Sequence, residues 1–170
     1  MLPRTEPSNL SYNAISAYAE RVGERHKIYT DGVADVHRLV RKLGGRVAHS
    51  NGDESLRVRS DSDFTVYVPE TTSPRRDRFT IAHELGHYFL HYLLPRRHAE
   101  ELEDEEELRF ARGGRNRAET EANVFAASLL MPETEFRKIY RQFDKDAWST
   151  ALHFDVSPAA AEVRAQVLAL

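Results

Sequence analysis

The sequence predicts an α+β fold, a single small domain over residues 1–170 in which helices accompany a short antiparallel sheet of about three strands. Three observations support this class. The length of 170 residues fits one domain. Hydrophobic residues make up 41% of the chain and charged residues 30%, as in a globular protein with a core. The hydrophobic pattern has helical spacing at both ends of the chain and short β-type runs between them.

Two helices are predicted at the start of the chain. Helical spacing covers residues 11–26 and again residues 31–43. Asp31 is a suitable N-cap for the second helix, because its short side chain can accept a hydrogen bond from a free backbone N–H. The glycine pair at 44–45 then ends this helix.

Three short strands follow these helices. Runs rich in β-branched and aromatic residues occur at 46–49, 56–59 and 64–68. Turn-forming residues at 51–53 and 61–63 separate the runs, which predicts an antiparallel meander. The last run could bind a substrate strand along its edge, or it could be an ordinary strand of the sheet.

The second half of the chain is predicted to be helical. A strong helix covers residues 78–94 and ends at Pro95, and a second one covers 117–131. The charged segment 99–117 between them is predicted to be a mobile loop. Three shorter helices follow at 133–143, 147–154 and 158–169, the last with Ser157 as its N-cap.

Composition and charge exclude several classes of protein. The chain has no cysteine, which excludes disulfides and thiolate metal sites, and its net charge is −3. The N-terminus lacks a signal-peptide pattern, and no apolar run approaches the roughly 18 residues of a membrane span. We therefore expect a cytoplasmic protein without a membrane partner.

The helix 158–169 has few side chains that suit DNA, so no direct nucleic-acid binding is expected. The acidic run 100–107 has two interpretations. It is either a solvated loop or a segment that attracts a basic partner protein electrostatically.

The helix over 78–94 contains the pattern H-E-x-x-H at His83, Glu84 and His87. The four-residue spacing places the two imidazoles on one helical face, where they can bind one Zn²⁺. Glu84 is rotated by about 100° from His83 on the helix. Its carboxylate can therefore accept a proton from water without binding the metal. The remaining helix surface is mostly apolar, which predicts burial around a metal site. The alternative is a solvated polar stripe on a core helix.

A third protein ligand is expected from the helix over 117–131, because a catalytic zinc has three protein ligands. Glu119 falls on or beside the apolar face of this helix, and Asn123 lies one turn later, where it can accept a hydrogen bond from a histidine ligand. Glu121 points the opposite way, with Ser128. The alternative is that Glu119 is a surface residue near the start of the helix.

His91 is too far along its helix to share an ion with His83, since eight residues rise about 12 Å. It is expected to line the cleft or to form a local hydrogen bond, and Tyr88 is a second candidate cleft residue. The group that stabilises the oxyanion is not identified by the sequence. His91, Tyr88, Tyr140 and His153 are its candidates.

Two segments, RFTIAHELGHYFLH and ETEANVFAASLLMP, together resemble the ImmA/IrrE family of metallo-endopeptidases, and the tail LHFDVSPAAAEVR also fits this family. The resemblance covers residues 30–168. It implies a zincin-like domain with a small sheet beside the active-site helix. It also implies that His83, His87 and Glu119 bind the metal and that Glu84 is the catalytic base. Zinc is the expected cofactor, with manganese as the other candidate.

The resemblance also implies a function. Members of this family typically cleave a helix-turn-helix repressor and thereby control phage, mobile-element or stress genes. We therefore expect a zinc-dependent endopeptidase that cleaves a partner protein, with a DNA-binding repressor as the expected substrate. The alternative is a metal-stabilised regulatory or toxin–antitoxin binding module without catalytic activity. Glu84 favours the enzyme, because a structural zinc site needs no base beside it.

Overall fold

The computed structural model describes residues 5–98, 107–112 and 116–170. The elements of the first half are α1 (Tyr12–Arg25), β1 (Tyr29–Thr30), β2 (Val33–Ala34), α2 (Val36–Lys42), β3 (Gly45–His49), β4 (Glu54–Ser60) and β5 (Asp63–Val68). The second half contains α3 (Pro74–His87), a π-helical segment (Tyr88–Leu93), α4 (Leu94–His98), β6 (Leu108–Ala111), α5 (Arg117–Leu130), α6 (Glu133–Gln142), α7 (Ala147–Phe154) and α8 (Pro158–Val167). The predicted α+β class is confirmed.

The main sheet has the strand order β3-β5-β4-β6. β3 runs parallel to β5, and β4 runs antiparallel to both of its neighbours. The predicted three-stranded antiparallel meander is therefore wrong, because β3 pairs with β5 rather than with β4 and a fourth strand is present. Substrate addition along 64–68 is excluded, since β3 and β4 occupy both edges of β5. The buried side chains of β5 suit this central position.

The segment 29–34 forms a small hairpin where the start of a helix was expected. Asp31 and Gly32 both have positive φ angles, 51° and 82°, and connect β1 to β2. An Asp-Gly pair is a favourable two-residue hairpin turn, because both positions need positive φ. Asp31 is therefore a turn residue, and the N-cap of α2 is Asp35, whose carboxylate accepts a hydrogen bond from the Arg38 N–H.

α3 begins and continues differently from the prediction. Its N-cap is Ser73, followed by Pro74 in the first turn, so the helix starts before residue 78. The helix does not end at Pro95 but continues through the π-helical segment into α4. A proline lacks the N–H that an α-helical ladder needs, and a π-helical segment alters this ladder just before Pro95.

α5 is covered on two sides. It packs against α3 on one side and against α1 on the other. Ala122 and Phe125 of α5 contact Gly86 of α3, where the absence of a side chain permits close approach. On the opposite side, Ser128 donates a hydrogen bond to Ser16 of α1 at 2.9 Å. α5 is therefore buried around most of its circumference.

The predicted loop over 99–117 is described only in part. Its residues 99–106 and 113–115 lie outside the described residues. Leu108–Ala111 form β6, which pairs with β4, so this part of the segment belongs to the sheet. The side chain of Arg112 donates hydrogen bonds to the backbone carbonyls of Ser50 and Tyr67, which fixes the end of β6. The prediction of a mobile loop is wrong for these residues.

The C-terminal helices agree with the sequence. α6, α7 and α8 lie within the predicted ranges, and Ser157 caps α8 by accepting a hydrogen bond from the Ala160 N–H at 3.1 Å. Within the described ranges, every helix is too short or too polar to cross a lipid bilayer.

Candidate metal centre

His83, His87 and Glu119 converge between α3 and α5. Their nearest ligand atoms all lie within 4.8 Å of one another. The Nε2 atom of His83 is 3.0 Å from Glu119 Oε2, and the Nε2 atom of His87 is 3.1 Å from Glu119 Oε1. The two imidazoles come from one face of α3, and the carboxylate comes from the first turn of α5. Two imidazole nitrogens and one carboxylate are a ligand set that suits Zn²⁺.

Asn123 orients the first of these imidazoles. Its side-chain oxygen lies 2.8 Å from His83 Nδ1 and accepts the hydrogen bond from this nitrogen. With the proton on Nδ1, the Nε2 atom of His83 keeps its lone pair for a metal. Asn123 lies one helical turn after Glu119, so α5 supplies both the carboxylate and the support for the imidazole.

His87 is the more enclosed of the two imidazoles. Its side chain is 1% exposed, compared with 16% for His83. The ring of Phe110 on β6 stacks against it with a centroid distance of 5.4 Å. The Nδ1 atom of His87 lies 2.8 Å from Nδ1 of His91. Only the His83 and Glu119 side of the group faces solvent appreciably.

The charges of the group affect its pKa values. Burial raises the pKa of Glu119, but the hydrogen bonds from His83 and His87 outweigh it and lower the pKa to about 2. Burial lowers the pKa of His83, but the hydrogen bond to Glu119 and the charge of Glu84 outweigh it and raise the pKa. The metal-free group therefore holds a carboxylate anion, and the ordinary partner of such an anion is a cation.

Glu84 lies beside this group as a buried carboxyl. It is 4% exposed, and its Oε2 atom has no hydrogen-bond partner within the described part of the chain. Burial raises the pKa of Glu84, and the nearby charges of His87 and His83 oppose this shift. A buried polar atom without a partner is costly. Its position beside three residues that could hold a metal fits a site in which a bound water would supply the missing hydrogen bond.

Tyr88 and His91 lie in the interior, so their assignment to a cleft is wrong. Tyr88 is 1% exposed, and its hydroxyl donates to the backbone carbonyl of Asp61. His91 instead forms the local hydrogen bond that was the other expectation for it, to His87. The remaining oxyanion candidates lie on the C-terminal helices: Tyr140 stacks on Phe136, and the ring of His153 packs against Phe154.

Glu121 is the residue that the sequence reasoning missed. It is not one of the three grouped residues, but its side chain is fully buried and its Oε2 atom lies 2.9 Å from Nε2 of His91. The helical wheel placed Glu121 opposite the metal-facing side of α5 and gave it no partner, whereas Ser8, Asn9 and His91 all bond to its carboxylate. No signal within α5 predicts these contacts, because Ser8, Asn9 and His91 lie in segments distant in the sequence.

The comparison with known families agrees with this geometry. Residues 46–166 match the peptidase M78 family, which is described as the IrrE N-terminal-like domain. The chain belongs to this family. The range matched to the IrrE N-terminal-like domain includes His83, His87 and Glu119, the three residues that could bind a metal. Membership supports a metallopeptidase-like domain.

A solved structure, that of a Mycobacterium tuberculosis transcriptional regulator, has a similar fold. The TM-score is 0.58 and the sequence identity 18%, and the match covers 91% of the present chain and 46% of the regulator. The IrrE N-terminal-like domain thus spans less than half the length of that protein. No curated protein has a significantly similar sequence.

Proposed function

We propose that this chain is a zinc-dependent endopeptidase that hydrolyses a peptide bond in a partner protein. One observation carries the proposal: the buried carboxyl of Glu84 lies beside the group of His83, His87 and Glu119, with its Oε2 atom unpartnered in the described ranges. A purely structural metal site needs no such carboxyl, whereas hydrolysis needs a base at this position.

The two imidazoles and Glu119 would hold the ion, and Asn123 would keep the His83 lone pair at Nε2. Bound there, zinc supplies a Lewis acid that polarises a carbonyl group and lowers the pKa of water. Glu84 accepts a proton from the attacking water at its carboxylate and then donates this proton to the amine that leaves. Burial raises the pKa of Glu84, which helps the carboxyl to hold the proton between these two steps.

For the substrate we propose a DNA-binding regulatory protein. The resemblance to repressor-cleaving endopeptidases supports this class, and the similar solved structure is named as a transcriptional regulator. The net charge of −3 and the acidic run 100–107 would favour the approach of a basic partner over that of a nucleic acid.

The test compares wild-type protein with Glu84→Gln. Both should contain about one zinc ion per chain by elemental analysis, because Glu84 is not a ligand. Cells that express the wild-type chain should contain new protein N-termini, identified by mass spectrometry, that are absent with Glu84→Gln. The same N-termini with both proteins would contradict the role of Glu84. Zinc in both proteins with no new N-termini in either would favour a binding module. If elemental analysis found manganese instead of zinc in the purified protein, manganese would be the metal of the proposed peptidase.

A further inference from the structure

A chain of hydrogen bonds leads from the metal group into the protein interior. The Nδ1 atom of His87 lies 2.8 Å from Nδ1 of His91, and the Nε2 atom of His91 lies 2.9 Å from Glu121 Oε2. The side chains of His91 and Glu121 are both 0% exposed. Because water is excluded from them, each must satisfy its polar atoms through neighbouring groups of the protein.

The direction of these hydrogen bonds follows from the chemistry of the groups. A carboxylate only accepts, so the Nε2–H of His91 donates to Glu121. The Nδ1 atom of a neutral His91 then has a lone pair and accepts from the Nδ1–H of His87. With Nδ1–H donating to His91, the nitrogen of His87 that can give up its proton and bind a metal is Nε2, the atom that lies 3.1 Å from Glu119 Oε1. A residue remote from the metal thus determines which nitrogen of His87 can bind it.

Glu121 is in turn held by the N-terminal segment Ser8–Leu10. The backbone N–H and the hydroxyl of Ser8 donate to Glu121 Oε2 at 2.9 and 2.7 Å, and the Asn9 N–H donates to Oε1 at 3.1 Å. Arg117 donates to Glu121 Oε1 at 3.2 Å and to the backbone carbonyl of Leu10 at 2.9 Å. The N-terminal segment therefore completes the shell of donors that keeps Glu121 ionised and oriented.

We propose that Glu121 and His91 are positioning residues that fix the Nδ1–H tautomer of His87, and that they couple zinc affinity to the docking of Ser8–Leu10. The inference rests on the proposed function only in requiring a metal at this group. Coupling of this kind is reciprocal: if the docked segment strengthens zinc binding, zinc must stabilise the docked segment by the same factor.

The first test measures zinc affinity by competition with a chromophoric chelator. His91→Phe should bind zinc roughly 10- to 100-fold more weakly than wild type, the range typical of lost supporting hydrogen bonds. His91→Gln should retain more affinity than His91→Phe, since an amide offers both an acceptor and a donor. Glu121→Gln should also bind more weakly, because its amide group faces the donors of Ser8 and Asn9.

Ser128→Ala is the matched control. It removes a hydrogen bond of a buried side chain on the same helix, and this bond is made to Ser16 rather than to His91 or Glu121. A visible absorption spectrum with Co²⁺ should change for His91→Phe and remain that of wild type for Ser128→Ala. A merely structural role of His91 would lower stability in both variants and leave the Co²⁺ spectrum unchanged.

A second test needs no variant. In wild-type protein, zinc should slow hydrogen exchange at the amides of Ser8 and Asn9 several-fold, while the Ala160 amide at the start of α8 should exchange as before. Equal exchange at Ser8 and Asn9 with and without zinc would overturn the coupling. Zinc affinity in His91→Phe equal to that of Ser128→Ala would overturn the positioning role. Both results leave the proposed peptidase intact, whereas a wild-type chain that binds no zinc would overturn both proposals.

Discussion

Gly86 of α3 lies directly against Ala122 of α5: a Cβ atom on Gly86 would come within 2.9 Å of the Ala122 Cα and 3.2 Å of the Phe125 Cβ. Gly86 immediately precedes His87, and Ala122 is less than one helical turn from Glu119. This close approach of two helices therefore determines how near the carboxylate lies to the imidazoles.

Gly86→Ala should separate the two helices. Alanine favours a helix by about 1 kcal/mol over glycine, but its methyl group would meet backbone atoms that no rotamer change can move. We expect the metal-free protein to lose about 1–3 kcal/mol of unfolding free energy, together with a weaker affinity for zinc. Urea unfolding and chelator competition measure the two effects. Gly52→Ala is the control, since its Cβ would meet only the Ser50 hydroxyl at 3.3 Å. Unchanged zinc affinity in Gly86→Ala would show that the helix spacing does not control the site.

Glu119→Gln should abolish zinc binding. The substitution replaces the carboxylate that lies within 3.1 Å of both imidazoles by a neutral amide, a poor zinc ligand. Elemental analysis after dialysis against metal-free buffer measures the loss. Glu162→Gln on the exposed side of α8 makes the same change in net charge and should retain zinc. Equal zinc contents in the two variants would refute Glu119 as a ligand.

Asn123→Ala should weaken zinc binding roughly 10- to 100-fold without abolishing it, because His83 loses the acceptor for its Nδ1–H. Asn123→Asp should retain affinity near that of wild type, since a carboxylate accepts the same hydrogen bond. Chelator competition distinguishes the variants. Thr120→Ala, at an exposed position on the same helix, serves as the control. An affinity in Asn123→Ala equal to that of Thr120→Ala would mean that Asn123 does not support the ligand.

Zinc affinity should fall in mild acid. In the metal-free protein burial lowers the pKa of His83, but the hydrogen bond to Glu119 and the charge of Glu84 raise it above its ordinary 6.5. Protons and zinc compete for the Nε2 lone pair, so affinity is complete above this raised pKa and is lost as the pH falls through it. Competition titrations from about pH 5.5 to 8.5 should show the decline beginning above 6.5. A constant affinity across this range would contradict the titration of His83.

The parts of the site that depend on one helix were predictable from the sequence. The four-residue spacing of His83 and His87 is a property of any α-helix, so the structure had to place them together. The same holds for Glu119 and Asn123 on α5. Their assembly into one group also needed the right choice of helical face, and the apolar face of α5 supplied that choice.

The parts that depend on contacts between distant segments were not predictable. Strand periodicity identifies strands but not their neighbours, so the parallel pairing of β3 with β5 could not be inferred. Leu108–Ala111 lie in a strongly charged segment whose composition resembles a loop. The connection of Glu121 to His91 depends on the π-helical segment and the N-terminal segment, and a helical wheel of α5 contains neither.

The ligands of the candidate centre come from two elements, α3 and α5, with β6 between them in the chain. An ion that binds only when these helices are together cross-links the chain between α3 and α5. It stabilises the native state and not the unfolded state. At a free concentration of 100 times the dissociation constant, such binding adds about 2.7 kcal/mol to the unfolding free energy. The chain has no cysteine and hence no disulfide to perform this role. Chelation would therefore lower the melting temperature as well as remove the metal, and thermal denaturation would report occupancy of the site before any substrate is known.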